Sequence, residues 1–277
     1  MLYPNTWRRT ALAVFFVAAA VALATAPAHA GRSCEAHKPT PQLIERGMQL
    51  AQQTAAALDA EFARSGSRVV VLGRAGQDLG KYGLRYSHLG WAYRTTEGPW
   101  RVVHKLNECG TAAGYLYRQG LGEFFLDDLW RYEAVWAVPT PEVQQRLLPV
   151  LQDRQRARAL QHPPYSMVSY VWGRKYQQSN QWALETLAVA MEPASVRTRD
   201  QAQAWLQFKG YEPSVLKIGA LTRLGGRVGS ANIAFDDHPS DKRFADRIET
   251  VTVDSVLAWL QRAQLASAPV VLRLESR

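Results

Sequence analysis

The stretch Tyr86-Ser87-His88-Leu89-Gly90-Trp91-Ala92-Tyr93, followed by Trp100-Arg101-Val102-Val103-His104, decides how this chain reads. Two apolar runs flank Thr95-Thr96-Glu97-Gly98-Pro99, a turn composition. The pattern predicts a β-hairpin with strands over 86–94 and 100–106. One histidine stands early in the first strand and another late in the second. Strands that fold back on each other bring such positions close, and two imidazoles on one sheet can form a base and its orienter. An ordinary structural role fits the same two residues, and spacing alone does not choose.

Outward from the hairpin, 68–74 reads as a buried-type strand and 75–85 as a polar, glycine-rich loop. Upstream, Leu43, Ile44, Gly47, Leu50, Ala51, Thr54, Leu58 and Phe62 recur at helical spacing over 41–64, with Gly66 beyond the end. Downstream come a strand over 133–138, stopped by Pro139, and a short helix over 142–151. The charged segment 153–164 ends in Pro163-Pro164 and reads as a linker or surface excursion. A core helix is predicted over 180–191, with Ser179 near its N-cap and Pro193 past its end. Thr198 and Gln201 form a capping-box pattern opening a helix over 198–208, which Gly210 stops. The glycine-rich 219–229 reads as a loop, 252–263 as a last helix and 269–274 as a terminal strand. This order implies an α+β fold, a small antiparallel sheet packed by helices.

The ends bear on location. Arg8 and Arg9 precede an apolar run over 11–26, and Ala28-His29-Ala30 is an A-x-A cleavage site. Residues 1–30 therefore read as a secretory signal peptide cut near Ala30. That leaves 31–277 as one α+β domain with a helical C-terminal elaboration, periplasmic or secreted. No later segment approaches a membrane span. Export favours a disulfide between Cys34 and Cys109, worth roughly 3–4 kcal/mol in the chain-entropy model. The competing reading makes Cys109 a thiol nucleophile, which would leave Cys34 unpaired as well.

Lys and Arg number 33 against 24 Asp and Glu, a net charge of +9 to which Arg8 and Arg9 contribute. A basic exported protein suits an anionic cell-envelope component such as peptidoglycan or lipid. No Lys/Arg run is dense enough for a nucleic-acid tract. Asp236-Asp237-His238-Pro239 sets two carboxylates beside an imidazole. Adjacent residues cannot all face one ion without an unusual turn, and the similar pair Asp127-Asp128 reads equally well as an exposed loop. Leu224-Gly225-Gly226-Arg227-Val228-Gly229 lacks the Lys-Ser/Thr of a P-loop and the frame of a dinucleotide fingerprint. No metal and no cofactor is expected.

Two levels of resemblance add to this. Residues 74–90, 119–129 (Gln-Gly-Leu-Gly-Glu-Phe-Phe-Leu-Asp-Asp-Leu), 176–186 and Phe235-Asp236-Asp237-His238-Pro239 resemble an exported bacterial family, domain of unknown function 2145. That resemblance spans almost the whole of 31–277 and implies no activity. Over about 70–182 the chain also resembles the permuted papain-like superfamily of NlpC and lecithin-retinol acyltransferase proteins. Ser87-His88-Leu89-Gly90 matches its catalytic S-H-x-G element, and Val102-Val103-His104 its second polar position. Gln178-Ser179-Asn180-Gln181-Trp182 occupies the nucleophile element, with serine in place of cysteine and tryptophan in place of phenylalanine.

The resemblance implies a permuted papain-like topology and an amidase- or acyltransferase-like site of His88, His104 and Ser179. The serine matters, because a hydroxyl gains far less than a thiol from a helix N-terminus and needs a true general base. Three readings of Ser179 stay open: a nucleophile, a relic in a binding or assembly protein with a degenerate cleft, or a helix N-cap.

Overall fold

The computed structural model describes residues 39–127 and 129–275. The signal segment 1–30, Cys34 and Asp128 lie outside the described residues.

Thr40 caps helix α1 (Pro41–Ser65), accepting from the Leu43 amide, and Gly66 ends it in the left-handed region at φ 73°. Strands β1 (Val69–Ala75), β2 (His88–Arg94), β3 (Trp100–Asn107) and β4 (Gly114–Gly120) follow, with a 3₁₀ turn at Gly80–Tyr82. Next come α2 (Leu121–Phe125), β5 (Arg131–Ala137), α3 (Pro141–Gln152) and α4 (Arg154–Ala157). The C-terminal half holds α5 (Ser179–Met191), α6 (Arg199–Phe208), β6 (Ser214–Lys217), α7 (Ala220–Gly229), α8 (Ser240–Phe244), β7 (Arg247–Thr250), α9 (Val253–Arg262) and β8 (Val270–Arg273).

The fold is α+β. Six strands form one sheet in the order β4-β3-β2-β1-β5-β8, antiparallel throughout. β6 and β7 make a separate two-stranded ribbon. The hairpin stands as expected, with Trp91 opposite Val103 and Tyr93 opposite Arg101.

Side chains alternate across each strand, so the sheet builds two cores. Val69, Val71, Leu89, Trp91 and Val103 face helices α3, α5, α6 and α9. Val70, Leu72, Ala92, Trp100 and Val102 face α1 and α2. Both faces of β1 are covered, so all seven of its residues are buried, which is why 68–74 shows no alternation in sequence.

Several local expectations change. The stretch 219–229 is not a loop: helix α7 runs through its glycines. Segment 153–164 is no linker, because it holds α4, its Ala157 carbonyl accepts from Trp182 Nε1 at 3.2 Å, and Pro164 bridges Ala113. Ser179 is not the N-cap of α5. Gln178 takes that place, its side chain accepting from the Asn180 amide at 3.2 Å, so Ser179 is the first helical residue.

Candidate functional site

His88 opens β2, across from Arg74 of β1. His104 lies on β3, across from Tyr117 of β4. The two rings meet with His88 Nε2 to His104 Nδ1 at 2.8 Å, and His104 Nε2 lies 2.7 Å from Gln119 Oε1. Gly90 lets the strands close this far. A Cβ there would stand 2.8 Å from His104 Cβ and 2.9 Å from the Val103 carbonyl oxygen. The glycine of the S-H-x-G element thus has a packing reason.

The chain of bonds sets the tautomers. With Gln119 Oε1 as acceptor, His104 Nε2 carries the proton and its Nδ1 is a lone pair. His88 Nε2–H donates to that lone pair. His88 Nδ1 is then unprotonated. It makes no hydrogen bond among the described residues, yet it is not sealed off, since His88 lines a cavity.

Both imidazoles are held neutral. Burial is the first cause for each, and the Arg74 guanidinium is the second. His88 sits well below the ordinary value of 6.5, and His104 is pushed down to about 3. Arg74 is itself fixed by the Phe124 carbonyl and the Asp127 carboxylate, and it lies 4.6 Å over the Phe124 ring. Phe124 also meets His104 edge-on at 5.3 Å.

Helix α5 brings Ser179 to the same cavity. The Asn180 side-chain oxygen accepts from the Leu89 amide at 3.1 Å, and Trp91 Nε1 donates to the Ala183 carbonyl at 3.0 Å. These bonds dock the helix start beside His88. Buried amides clamp it further: Gln178 Nε2 donates to the Val251 carbonyl at 2.6 Å, and Gln181 Nε2 to the Val171 carbonyl at 2.9 Å. The Ser179 hydroxyl does not bond to His88. Its partner is Tyr165 Oη at 3.3 Å. Burial pushes the Tyr165 phenol up, so it stays a neutral donor and acceptor.

By strand alternation His88 sits with Arg74 on the α1–α2 face, whereas α5 packs on the other. The cavity, about 530 Å³, is lined by both His88 and, from α5, Ser179 and Asn180. Its polar lining includes His88, Ser179, Tyr165 and Ser87, with Asp78 and Lys81 as charged members. Leu84, Trp130, Val168, Ile218 and Phe235 make much of the remaining wall. A concave site of mixed lining, with apolar walls and several polar groups, can hold a small molecule. Ser87 has a structural task, accepting from the Gly76 amide at 2.8 Å.

Gln119 and Tyr165 were not singled out from sequence. The signal for Gln119 is only its place on a strand that follows the second histidine. Lys105 was also passed over. It is fully buried on β3 and donates to the His162 carbonyl at 2.5 Å, the Gln177 carbonyl at 2.7 Å and Gln177 Oε1 at 3.0 Å. Burial, then Arg199, pulls its ammonium down to about 7. Lys105 fastens the segment that leads into Ser179.

The Asp236-Asp237-His238 cluster serves the fold. Asp237 accepts from the Tyr170 amide at 2.7 Å and from His238 Nδ1 at 3.0 Å, while Asp236 pairs with Lys175 at 2.5 Å. No group of three or more metal-ligating side chains gathers among the described residues. Cys109 lies past β3 and is disulfide-bonded, which leaves no thiol there to act as nucleophile.

The description of a bacterial family, DUF2145 (uncharacterized protein conserved in bacteria), matches residues 61–260. No curated protein and no solved structure matches the chain.

Proposed function

The chain belongs to that DUF2145 family, whose description carries no activity, and we propose from the site alone that it performs acyl transfer, with His88 as the base. The observation behind this is the relay Gln119–His104–His88, whose last ring lines the same cavity as Ser179 at the start of α5. His88 Nδ1 takes the Ser179 proton. His104, held by Gln119, keeps His88 in the working tautomer, the orienting role that recurs in convergent triads. Ser179 Oγ attacks the carbonyl carbon of an amide or ester. The Tyr165 hydroxyl donates where the oxyanion develops, and the Asn180 amide joins it by exchanging its bond to Gln178 Oε1. His88 then returns its proton to the leaving group, and water or another acceptor releases the acyl group.

Attack requires Ser179 to exchange its Tyr165 bond for one to His88. Substrate-bound geometry is commonly tighter than that of the empty site. The sequence resemblance to the permuted papain-like superfamily suggests the same roles, with serine where that superfamily has cysteine. We further propose an exported, cell-envelope setting, with Cys109 joined to Cys34 in that oxidising compartment and an anionic envelope component as partner. Among the described residues no helix is long and apolar enough to cross a membrane.

One observation favours a second reading, a non-catalytic binding cleft. His88 is a weak base, and the Ser179 hydroxyl already has a partner in Tyr165. Hydrolysis of activated acyl esters and of peptidoglycan fragments separates the two. The acyl-transfer reading expects a burst followed by turnover, both absent in Ser179→Ala. Saturable binding of the same compounds with no turnover would establish the cleft as a binding site.

A further inference from the structure

Helix α7 is built inside out. Leu221, Leu224 and Val228 share one face at spacing i, i+3 and i+7, and they are 85, 61 and 81 % exposed. Its opposite face carries Thr222 and Gly226, which line the cavity. Arg223 anchors the helix from within, donating to the Ile218 carbonyl and the Asp246 carboxylate. Asp246 lies just past α8, so this bond also sets α8 beside α7. Phe244, at the end of α8, is 73 % exposed, and the Arg223–Asp246 bond ties the residues just past its helix to α7.

Single exposed apolar side chains are ordinary, but a cluster of four marks a contact surface. The helix also carries Gly225, Gly226 and Gly229. Ten residues with three glycines have little helical stability of their own. A cover on the outer face would supply what the sequence lacks.

The charge around the stripe says what that cover is. Lys217 and Arg247 face each other across β6 and β7, and Lys217 lies two residues before the α7 cap. Arg227 is exposed on α7 itself. Nearby acids are largely engaged: Asp246 by Arg223, and Glu249 by Lys242 at 2.6 Å and more loosely by Arg247 at 3.8 Å. Asp241 is an exposed acid on α8. The balance is basic. A short amphipathic helix with an outward apolar stripe and a basic rim has the character of a helix lying in a lipid–water interface.

We propose that α7, together with Phe244, docks the protein onto an anionic lipid leaflet. Leu221, Leu224, Val228 and Phe244 enter the boundary of the acyl chains. Lys217, Arg227 and Arg247 meet the headgroup phosphates.

Vesicle sedimentation tests this with the processed protein, from which the apolar run over 11–26 is absent, so that the run cannot itself bind lipid. Vesicles of phosphatidylglycerol and phosphatidylcholine in equal parts are compared with phosphatidylcholine alone, at low and high salt. Binding to the anionic vesicles at low salt is expected, and it should be weaker by about tenfold or more on neutral vesicles, as expected when apolar burial and headgroup attraction act together. The triple variant Leu221→Ser, Leu224→Ser, Val228→Ser should lose binding to a similar degree with a nearly unchanged Tm, since these side chains are mostly exposed. Lys217→Glu with Arg227→Glu should remove the salt-sensitive part. Undiminished binding by the triple variant, or no binding by the wild type, would overturn the proposal. So would a wild-type dimer that the triple variant converts to monomer, which would give the stripe to a second copy.

Discussion

His88 and His238 are both interior histidines with one ring nitrogen hydrogen-bonded, and they part company at the other nitrogen. His238 Nδ1 meets Asp237 at 3.0 Å, but its Nε2 is buried with no hydrogen-bond partner among the described residues, under the rings of Tyr170 and Phe235. His88 Nε2 meets His104, and the His88 ring lines the cavity. In sequence His238 directly follows two aspartates, Asp236 and Asp237. A carboxylate neighbour and burial are not enough, however. A base needs a free lone pair facing a space that can hold a substrate. The difference also separates their costs. The His238 orphan nitrogen is a local burden on stability, of a size typical for an unmet buried polar atom, about 1–3 kcal/mol.

The largest expected effect lies in the contrast of two substitutions. His88→Ala should lower turnover by about 100-fold or more, the ordinary worth of a general base. His238→Gln should leave turnover within about twofold, since no bond links it to the relay. Equal losses in both would erase the distinction drawn here.

A second effect concerns acid. His88 and His104 bind protons less readily in the folded chain than in the unfolded one. Between 6.5 and about 3 the unfolded state therefore holds more protons. The stabilising contribution is complete above 6.5 and drains as pH falls toward 3. For His104 alone this is on the order of a few kcal/mol. Denaturant midpoints should fall as pH drops across that range, and His104→Gln should flatten the dependence. A stability that rises as pH drops through the window would contradict the neutral pair. The rate profile sharpens the point: no acid limb should appear near 6.5, because the base stays unprotonated well below it.

Packing gives a third, smaller effect. Gly90→Ala puts a methyl against His104 Cβ and the Val103 carbonyl, and Val102 Cγ1 lies 2.7 Å from the same point. The cost should be about 1–3 kcal/mol by overpacking, with the imidazole bond lengthened. Thermal unfolding measures the first and histidine ring NMR the second. A variant of full stability with an unchanged pair would mean that the glycine is incidental.

Much of the fold was legible because its signals are periodic. The hairpin, α1, α3, α5, α6 and α9 show apolar spacing or caps that survive into the structure within a residue or two of the expected bounds. What escaped has physical reasons. Strands β6 and β7 have four residues each, too few for a period. β4 is an edge strand whose Tyr115 and Tyr117 are exposed, so its pattern is not that of a buried strand. Three glycines hid α7, and its apolar spacing points to solvent rather than to the core. At the site, the two histidines stood out because a hairpin has a fixed geometry. Gln119 and Tyr165 reach them through tertiary contacts that no local pattern encodes. Ser179 was placed one residue early at the helix start because serine is a common cap, and glutamine is not expected to take that role.

The account turns on whether His88 activates Ser179. A serine-directed fluorophosphonate, followed by peptide mass mapping, reads this directly. Wild-type protein should carry one covalent adduct, on Ser179, and His88→Ala should carry none under the same conditions while keeping its Tm. No adduct on Ser179 in the folded wild type, or an adduct formed equally fast in His88→Ala, would contradict the acyl-transfer site.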